Sequence, residues 1–282
     1  MDWSPVAAHL GARIVAEKPL KGGVSAEVAA LDLGWPDGST RRVVARRNPD
    51  HPEKRDPSEV AGVEHAILAA LHARGFPVPE PLARLDEPSC LVMAHVDGTM
   101  APSDPLEAAR RMGAMLARIH AVPPDSIATG LPEREAPAEG IRSWLPESLL
   151  TERVRAAVDR PLPDRTPALL HGDFWPGNLL WRDGHVVAVL DWEDAAVGDR
   201  LSDLAAARCE LRCAWGDGAV RELTAEYVRH AGPDLEGLAI WDVYVASAAL
   251  QWMGSWGLEP EVLAKRERGT TAFLHEALAR IG

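Results

Sequence analysis

Between Ala12 and Arg47 the apolar residues fall in short runs divided by turn formers, and the pattern predicts three strands: Ile14–Leu20, Glu27–Leu33 and Arg41–Arg47. Trp35-Pro36-Asp37-Gly38 turns the second into the third. The period then lengthens. Asp56-Pro57-Ser58-Glu59 marks a helix start, with a cap at Asp56, Pro in the first position and Glu in the third, and Gly75 and Pro77 end the helix. Between them Val60, Val63, Ile67, Leu68 and Leu71 recur at helical spacing as a buried stripe. Leu91-Val92-Met93 reads as a buried strand. A second capped helix begins at Asp104-Pro105-Leu106-Glu107, is lined by Leu106, Ala109, Met112, Leu116 and Ile119, and closes before Pro123. Residues 132–140, rich in Glu, Pro and Ala, read as a surface connection. Leu179-Leu180-Trp181 and His185 to Leu190 flank Arg182-Asp183-Gly184 and predict a β-hairpin. From about Leu201 the pattern is helical, and Trp241, Val245, Ala248, Trp252 and Trp256 fall near one face, a stripe that reads as core.

Composition narrows the possibilities. The 282 residues can form one large domain or two lobes, and 46% hydrophobic with 26% charged residues is ordinary for a water-soluble globular chain. A net charge of −12 opposes nucleic-acid binding, which needs Lys and Arg to neutralise phosphates. Cys90, Cys209 and Cys213 cannot all pair; Cys209 and Cys213, one helical turn apart without companion ligands, read as buried thiols rather than a zinc site. The start, Met1-Asp2-Trp3-Ser4-Pro5, lacks the pattern of a signal peptide. The most apolar helical stretch, Leu238 to Trp252, contains Asp242 and is too short to span a bilayer. A cytoplasmic protein that touches neither membrane nor nucleic acid is expected.

The chemistry gathers in His171-Gly172-Asp173-Phe174-Trp175-Pro176-Gly177-Asn178 and in Asp191-Trp192-Glu193. Pro176 and Gly177 exclude a helix, so the first segment is expected to be a loop. With Asp183-Gly184 as the turn, Asn178 should lie opposite Val189 and Asp191 just past the strand, at the same end of the hairpin. Asp173, Asn178 and Asp191 thereby supply a base and two oxygen ligands that suit Mg²⁺, which keeps much of its water. The spacing reproduces the H-x-D-x-x-x-x-N loop and following metal Asp of kinase-type phosphoryl transfer. Upstream, Gly22 and Gly23, in Lys21-Gly22-Gly23-Val24-Ser25 between two strands, can present backbone N–H groups, with Ser25 beside them, to phosphate oxygens; a plain hairpin turn is the rival reading. Arg46, in Val43-Val44-Ala45-Arg46, stands where kinases carry a strand lysine. Glu64 interrupts an apolar stripe and needs a cation, for which Arg46 is the candidate rather than Arg47.

At these residues the chain resembles the aminoglycoside phosphotransferase and choline kinase superfamily, the small-molecule branch of the protein-kinase-like fold. The likeness is strongest from His171 to Asp203, through Gly198-Asp199 and Ser202-Asp203-Leu204-Ala205, and reaches back to about Leu20. It implies an α+β, two-lobed fold with a small antiparallel-sheet N-terminal lobe and a mainly helical C-terminal lobe. Residues 1–93 would form the nucleotide-binding lobe, 94–98 the hinge, and 99–282 the catalytic and substrate-binding lobe. It further implies that the Ala94 carbonyl and the Val96 amide meet adenine beside Met93. His171 would pack beneath the metal Asp, and Asp203 would brace the loop.

Only Trp192 to Arg200 separates Asp191 from the next helix, too short for the activation loop that orders a peptide substrate, and no A-P-E follows. The expected activity is therefore transfer of the γ-phosphoryl group of ATP to a hydroxyl of a small molecule. Asp173 would act as base, Asn178 and Asp191 would hold Mg²⁺, and Arg46 would steady the phosphates. The alternative is a non-catalytic nucleotide-binding, pseudokinase-like module. The acidity of the chain, and Glu193, Asp194 and Asp199 near the metal site, favour a cationic acceptor.

Overall fold

In the computed structural model the described residues are 2–20, 26–47, 56–127, 130–144 and 152–281. The first third builds an antiparallel sheet from β1 (Arg13–Leu20), β2 (Glu27–Gly34), β3 (Thr40–Arg47), β4 (Pro81–Leu85) and β5 (Cys90–Ala94), in the order β1-β2-β3-β5-β4. Alternation along the strands sorts their side chains between two layers. From β3 and β5, Val43, Ala45, Cys90 and Val92 join Leu31 and Leu33 under helix α1 (Ser4–His9), against Trp3, Val6 and Ala7. Leu91 and Met93 point to the other layer, against Ile67, Leu68 and Leu71 of helix α2 (Pro57–Ala73). β5 is thus buried on both faces, as its unbroken apolar run required. Asp56 caps α2, accepting a hydrogen bond from the Ser58 amide at 2.8 Å.

The second apolar cluster does not stop at α2. It continues through α3 (Pro105–His120), the hairpin β7–β8 (Leu179–Arg182 and His185–Val189) and helices α6 (Leu201–Ala214) and α7 (Asp217–Ala231), by way of Met112, Leu116, Leu179, Trp192, Leu204 and Tyr227. Helices α8 (Leu238–Trp252) and α9 (Pro260–Ile281) pack on α6 and on each other, with α4 (Pro137–Trp144) and α5 (Glu152–Val158) beside them. The segment after β5 is stitched to the hairpin: Thr99 and Trp181 exchange backbone hydrogen bonds of 2.9 and 2.7 Å.

Several elements depart from the expectations. Helix α4 begins inside the stretch read as a surface connection, because Ile141 is drawn into a core with Val154, Val158 and Val243. Helix α1, β4 and the pair β6 (Ala168–Leu170) and β9 (Ala196–Gly198) were not foreseen; each is short, and two of the four carry Pro. Residues 176–178 form a 3-10 turn rather than an irregular loop. The tryptophan stripe divides: Trp241 is core, whereas Trp252 is 47% exposed and Trp256 lies beyond the end of α8.

The hairpin register is also one residue away from the regular pairing. Arg182 pairs with His185 and Trp181 with Val186, but Leu180 pairs with Ala188 and Leu179 with Val189. The bulge at Val187 therefore places Asn178 opposite Leu190, whose amide donates to the Asn178 carbonyl at 2.8 Å. Asn178 comes one residue closer to Asp191 than expected.

Replacing Trp3 by Ala should remove the plug between α1 and the sheet, where the indole is buried and Arg47 lies 5.3 Å from its ring. The expected loss is about 3–5 kcal/mol of unfolding free energy. Urea unfolding measures it; a loss under about 0.5 kcal/mol, the size of an ordinary surface change, would show α1 to be peripheral.

Candidate active site

Strand alternation places Arg46 on the α2 face of β3, one residue after Ala45 on the α1 face, while Arg47 turns away to pair with Glu27. Glu64 projects from α2 into the same layer and meets Arg46 Nη1 at 2.6 Å. Both side chains are buried. Glu64 Oε1 accepts a second hydrogen bond, from the Trp192 amide at 3.2 Å, so the carboxylate is tied to sheet and hairpin together. Arg46 Nη2 reaches Glu193 at 2.5 Å and Asp191 Oδ1 at 3.0 Å. Burial alone would lower the Arg46 pKa, but Glu64, Asp191 and Glu193 outweigh it, and the guanidinium stays protonated. Burial pushes the Glu64 carboxyl up while Arg46 pulls it back.

The loop holding Asp173 is fixed from below. Asp203, at the start of α6, accepts from the His171 amide at 2.6 Å, the Gly172 amide at 3.0 Å and His120 Nε2 at 3.3 Å. Burial would raise the Asp203 pKa; His120 and the His171 amide more than offset this, so it remains an acceptor. Burial keeps the His171 ring neutral. Its Nε2 lies 2.9 Å from the Leu190 carbonyl, and its Nδ1 takes the Asp173 amide at 3.3 Å. The ring packs on Trp192, centroids 4.5 Å apart. Gly172 has φ +86°, and a Cβ there would overlap the Asp194 carbonyl, which the β6–β9 pairing brings alongside.

Asn178 directs its side-chain nitrogen at Asp173, donating to the carbonyl and to Oδ2, both at 2.9 Å. The amide oxygen is left to point elsewhere. Asp191 sits in the left-handed region at φ +62°, and its Oδ1 is buried with Arg46 Nη2 3.0 Å away. A carboxylate and a turned-out amide oxygen, with no cluster of three or more His, Cys, Asp or Glu able to enclose a metal among the described residues, fit a hard cation that keeps waters or phosphates in its remaining positions. Asp173 is exposed, yet protein packed around it and the charges of Asp194, Asp191 and Glu210 raise its pKa to about 7, against the smaller lowering by Asn178.

Other expected residues fall out differently. Gly22, Gly23 and Ser25 lie outside the described residues. Ala94 ends β5 with its amide bonded to the Glu80 carbonyl at 2.8 Å, and Val96 follows in the irregular link to Thr99. Asp199 does not face the loop as a free acid: its Oδ2 takes Trp241 Nε1 at 2.9 Å and Arg165 Nη1 at 3.2 Å. Glu193 is engaged by Arg46. Glu193 and Asp199, both expected to receive a cation, are therefore engaged within the protein. His120 was missed, although Met112, Leu116 and His120 share one helical face and a polar residue in an apolar stripe was the signal that had revealed Glu64. A cavity of about 490 Å³ between α6, α7 and α9 is remote from this chemistry, and its Arg208 is bound to Asp242 and Thr224.

A sheet set over a helical body, with paired acids where they join, is the layout of the protein-kinase-like fold. The chain belongs to the phosphotransferase enzyme family, which it matches over residues 17–241. It is similar to the viomycin phosphotransferase of Streptomyces vinaceus, 32% identical in an alignment of 160 positions that covers 47% of this chain and 55% of that protein. The match thus spans about half the length of that relative. The macrolide 2'-phosphotransferase MphH of Brachybacterium faecium, solved as an apoenzyme, has TM-score 0.66 and 26% identity, covering 95% of this chain and 96% of that one. A thermostable mutant of an aminoglycoside phosphotransferase, in ternary complex with AMP-PNP and hygromycin B, shares the fold at TM-score 0.63 and 17% identity, over 93% and 94% of the two chains. No helix among the described residues is long and apolar enough to cross a membrane.

Two outcomes follow from the electrostatics. Arg46→Ala should destabilise the fold by about 3–5 kcal/mol, since it leaves Glu64 buried without its cation, and Glu64→Ala by less, since Arg46 keeps Asp191 and Glu193. Their double variant should lose less than the sum, by about 0.5–3 kcal/mol. Strictly additive losses in urea unfolding would show the pair to be uncoupled.

Asp173 titrates near 7 when folded and near 3.8 when unfolded. Across that interval the folded protein holds a proton that the unfolded chain has released, so its contribution to stability falls as pH rises and is lost above about 7. In chelator-containing buffer the melting temperature of Asp173→Asn minus wild type should therefore increase from pH 4 to pH 8. A difference independent of pH would contradict the raised pKa.

Proposed function

We propose that the protein transfers the γ-phosphoryl group of ATP to a hydroxyl of a small molecule. The observation that carries this reading is the arrangement of Asn178 and Asp191 around Asp173. One amide group steadies the base through its nitrogen and turns its oxygen out, and the Asp191 carboxylate, one residue past the Leu190 that faces Asn178, has Arg46 Nη2 at 3.0 Å from its Oδ1. Asn178 and Asp191 would hold Mg²⁺, which supplies charge neutralisation for the phosphates. Asp173 orients the acceptor hydroxyl and takes its proton; the new bond joins that oxygen to the γ-phosphorus as the bond to the β-phosphate oxygen breaks and ADP departs. A pKa near 7 suits a base working at neutral pH. Arg46, kept charged by Glu64 and directed at Asp191 and Glu193, places a cation beside the phosphates.

In this reading residues 1–93 form the nucleotide lobe, with Gly22, Gly23 and Ser25 at the phosphates. Residues 94–98 form the hinge, with Ala94 and Val96 at the base, and 99–282 carry catalysis and the acceptor site. The short interval from Asp191 to Leu201 leaves no platform for a peptide, so the acceptor is a small hydroxylated compound. A non-catalytic module would have had no need to retain Asp173, Asn178 and Asp191 together. The expected setting is the cytoplasm.

Asp173→Asn should lower kcat by about 10²–10⁴-fold with little change in ATP affinity, because the base acts on the transition state. Asp191→Ala should abolish Mg²⁺-dependent nucleotide binding, and Asn178→Ala should weaken it less. Steady-state kinetics with calorimetric ATP titrations measure both. Undiminished turnover in Asp173→Asn, or wild-type Mg²⁺ dependence in Asp191→Ala, would defeat the assignment.

A further inference from the structure

Away from the Asp173 loop, the cavity of about 490 Å³ between α6, α7 and α9 has the size of a small-ligand pocket. Val220, Ala225 and Val228 of α7 give it an apolar wall. Arg208 of α6, its side chain only 9% exposed, closes the inner end. Arg208 Nε and Nη2 donate to the two oxygens of Asp242 at 3.2 and 3.1 Å, and Nη1 donates to Thr224 Oγ1 at 2.6 Å. A guanidinium carries five N–H groups. One on Nη1 and one on Nη2 are therefore left without an acceptor among the described residues. The Thr224 hydroxyl is itself committed, donating to the Val220 carbonyl at 2.7 Å.

The charges point the same way. Asp242, fully buried, also accepts from Arg280 Nη2 at 2.5 Å, so one carboxylate serves two guanidiniums. At the mouth, Arg212 holds Asp217 at 2.7 Å and Glu276 at 3.1 Å, and Arg221 adds a further cation. Arg208, Arg212, Arg221 and Arg280 thus stand against Asp217, Asp242 and Glu276. In a chain of net charge −12, a local excess of cations runs against the composition. Water in the cavity can fill the two spare donors, but it cannot balance the charge.

We propose that this cavity is a second binding site, for a small amphiphilic carboxylate whose oxygens accept from Arg208 and whose hydrocarbon chain lies along Val220, Ala225 and Val228. The spare donors sit at the two tips of a rigid fork, which matches the paired oxygens of a carboxylate. The acids at the mouth disfavour the higher charge of a phosphate. None of these residues belongs to the Asp173 loop or to the β7–β8 hairpin, so the site stands independently of the phosphotransfer reading.

Hexanoate, 1-hexanol and inorganic phosphate serve as probes, each titrated calorimetrically into the full chain with and without ATP and Mg²⁺. Hexanoate should bind saturably at one site, at least about tenfold more tightly than the alcohol or phosphate, and nucleotide should not alter it. Arg208→Met should weaken hexanoate about ten- to hundredfold, the worth of a hydrogen bond to a charged group. That variant leaves Asp242 paired with Arg280, so no buried acid is stranded. Ala225→Trp, at an exposed position of α7, should fill the cavity and abolish binding with Arg208 intact. It decides the matter should Arg208→Met not fold. Hexanoate should also raise the melting temperature of the wild type and leave that of Ala225→Trp unchanged. No saturable hexanoate binding, equal binding of 1-hexanol or phosphate, competition by ATP, or undiminished binding in Ala225→Trp would overturn the proposal.

Discussion

The guanidinium of Arg46 is the point on which the sheet, helix α2 and the β7–β8 hairpin converge. A buried cation must find compensating charge, and here that charge comes from three carboxylates on two segments: Glu64 on α2, and Asp191 and Glu193 just beyond the hairpin. Glu64 completes the tie by accepting from the Trp192 amide. Moving any one of these elements would strand a charge in a place where water cannot restore it. The apolar cluster that runs from α2 through α3 to α7 supplies adhesion without direction, whereas the ion network specifies how the sheet is set over the acids.

A second network, lower in the molecule, performs the equivalent task for the loop. Asp203 collects two consecutive backbone amides and His120, and the neutral His171 ring spans from the Leu190 carbonyl to the Asp173 amide. Neither set of contacts needs a ligand to form. Asp173 is consequently oriented beforehand, with acidic neighbours that raise its pKa and are unfavourable for the isolated protein. The acidic crowding around Asp173 and Asp191 is left unbalanced by the fold, which is how a site retains free energy for binding cations and phosphates.

The bulge at Val187 shows how a small backbone irregularity adjusts such a site. A regular hairpin would have set Asn178 against Val189; one extra residue sets it against Leu190 and closer to Asp191. At the same time Asp191 adopts φ +62°, an uncommon conformation for a side chain other than glycine. Both features lie within a few residues of the atoms assigned to the cation, and neither has a counterpart elsewhere along the two strands.

Sequence alone determined whatever depends on neighbours in the chain. The cap at Asp56, the helical stripe through Leu71, the strands β1 to β3 and the spacing of Asp173, Asn178 and Asp191 are local patterns. Period, turn chemistry and capping are set by residues within a few positions of one another. The pairing of Arg46 with Glu64 was also legible, because strand alternation and an acid in an apolar stripe allow few other solutions. The short elements α1, β4, β6 and β9 were not, since their stability comes from the layers they cover rather than from their own few residues. The register slip, the capture of Asp199 by Trp241 and Arg165, and the meeting of Arg208, Asp242 and Arg280 belong to tertiary structure alone. Those contacts join residues 34 to 42 positions apart or depend on where a backbone yields, and no local periodicity records such distances.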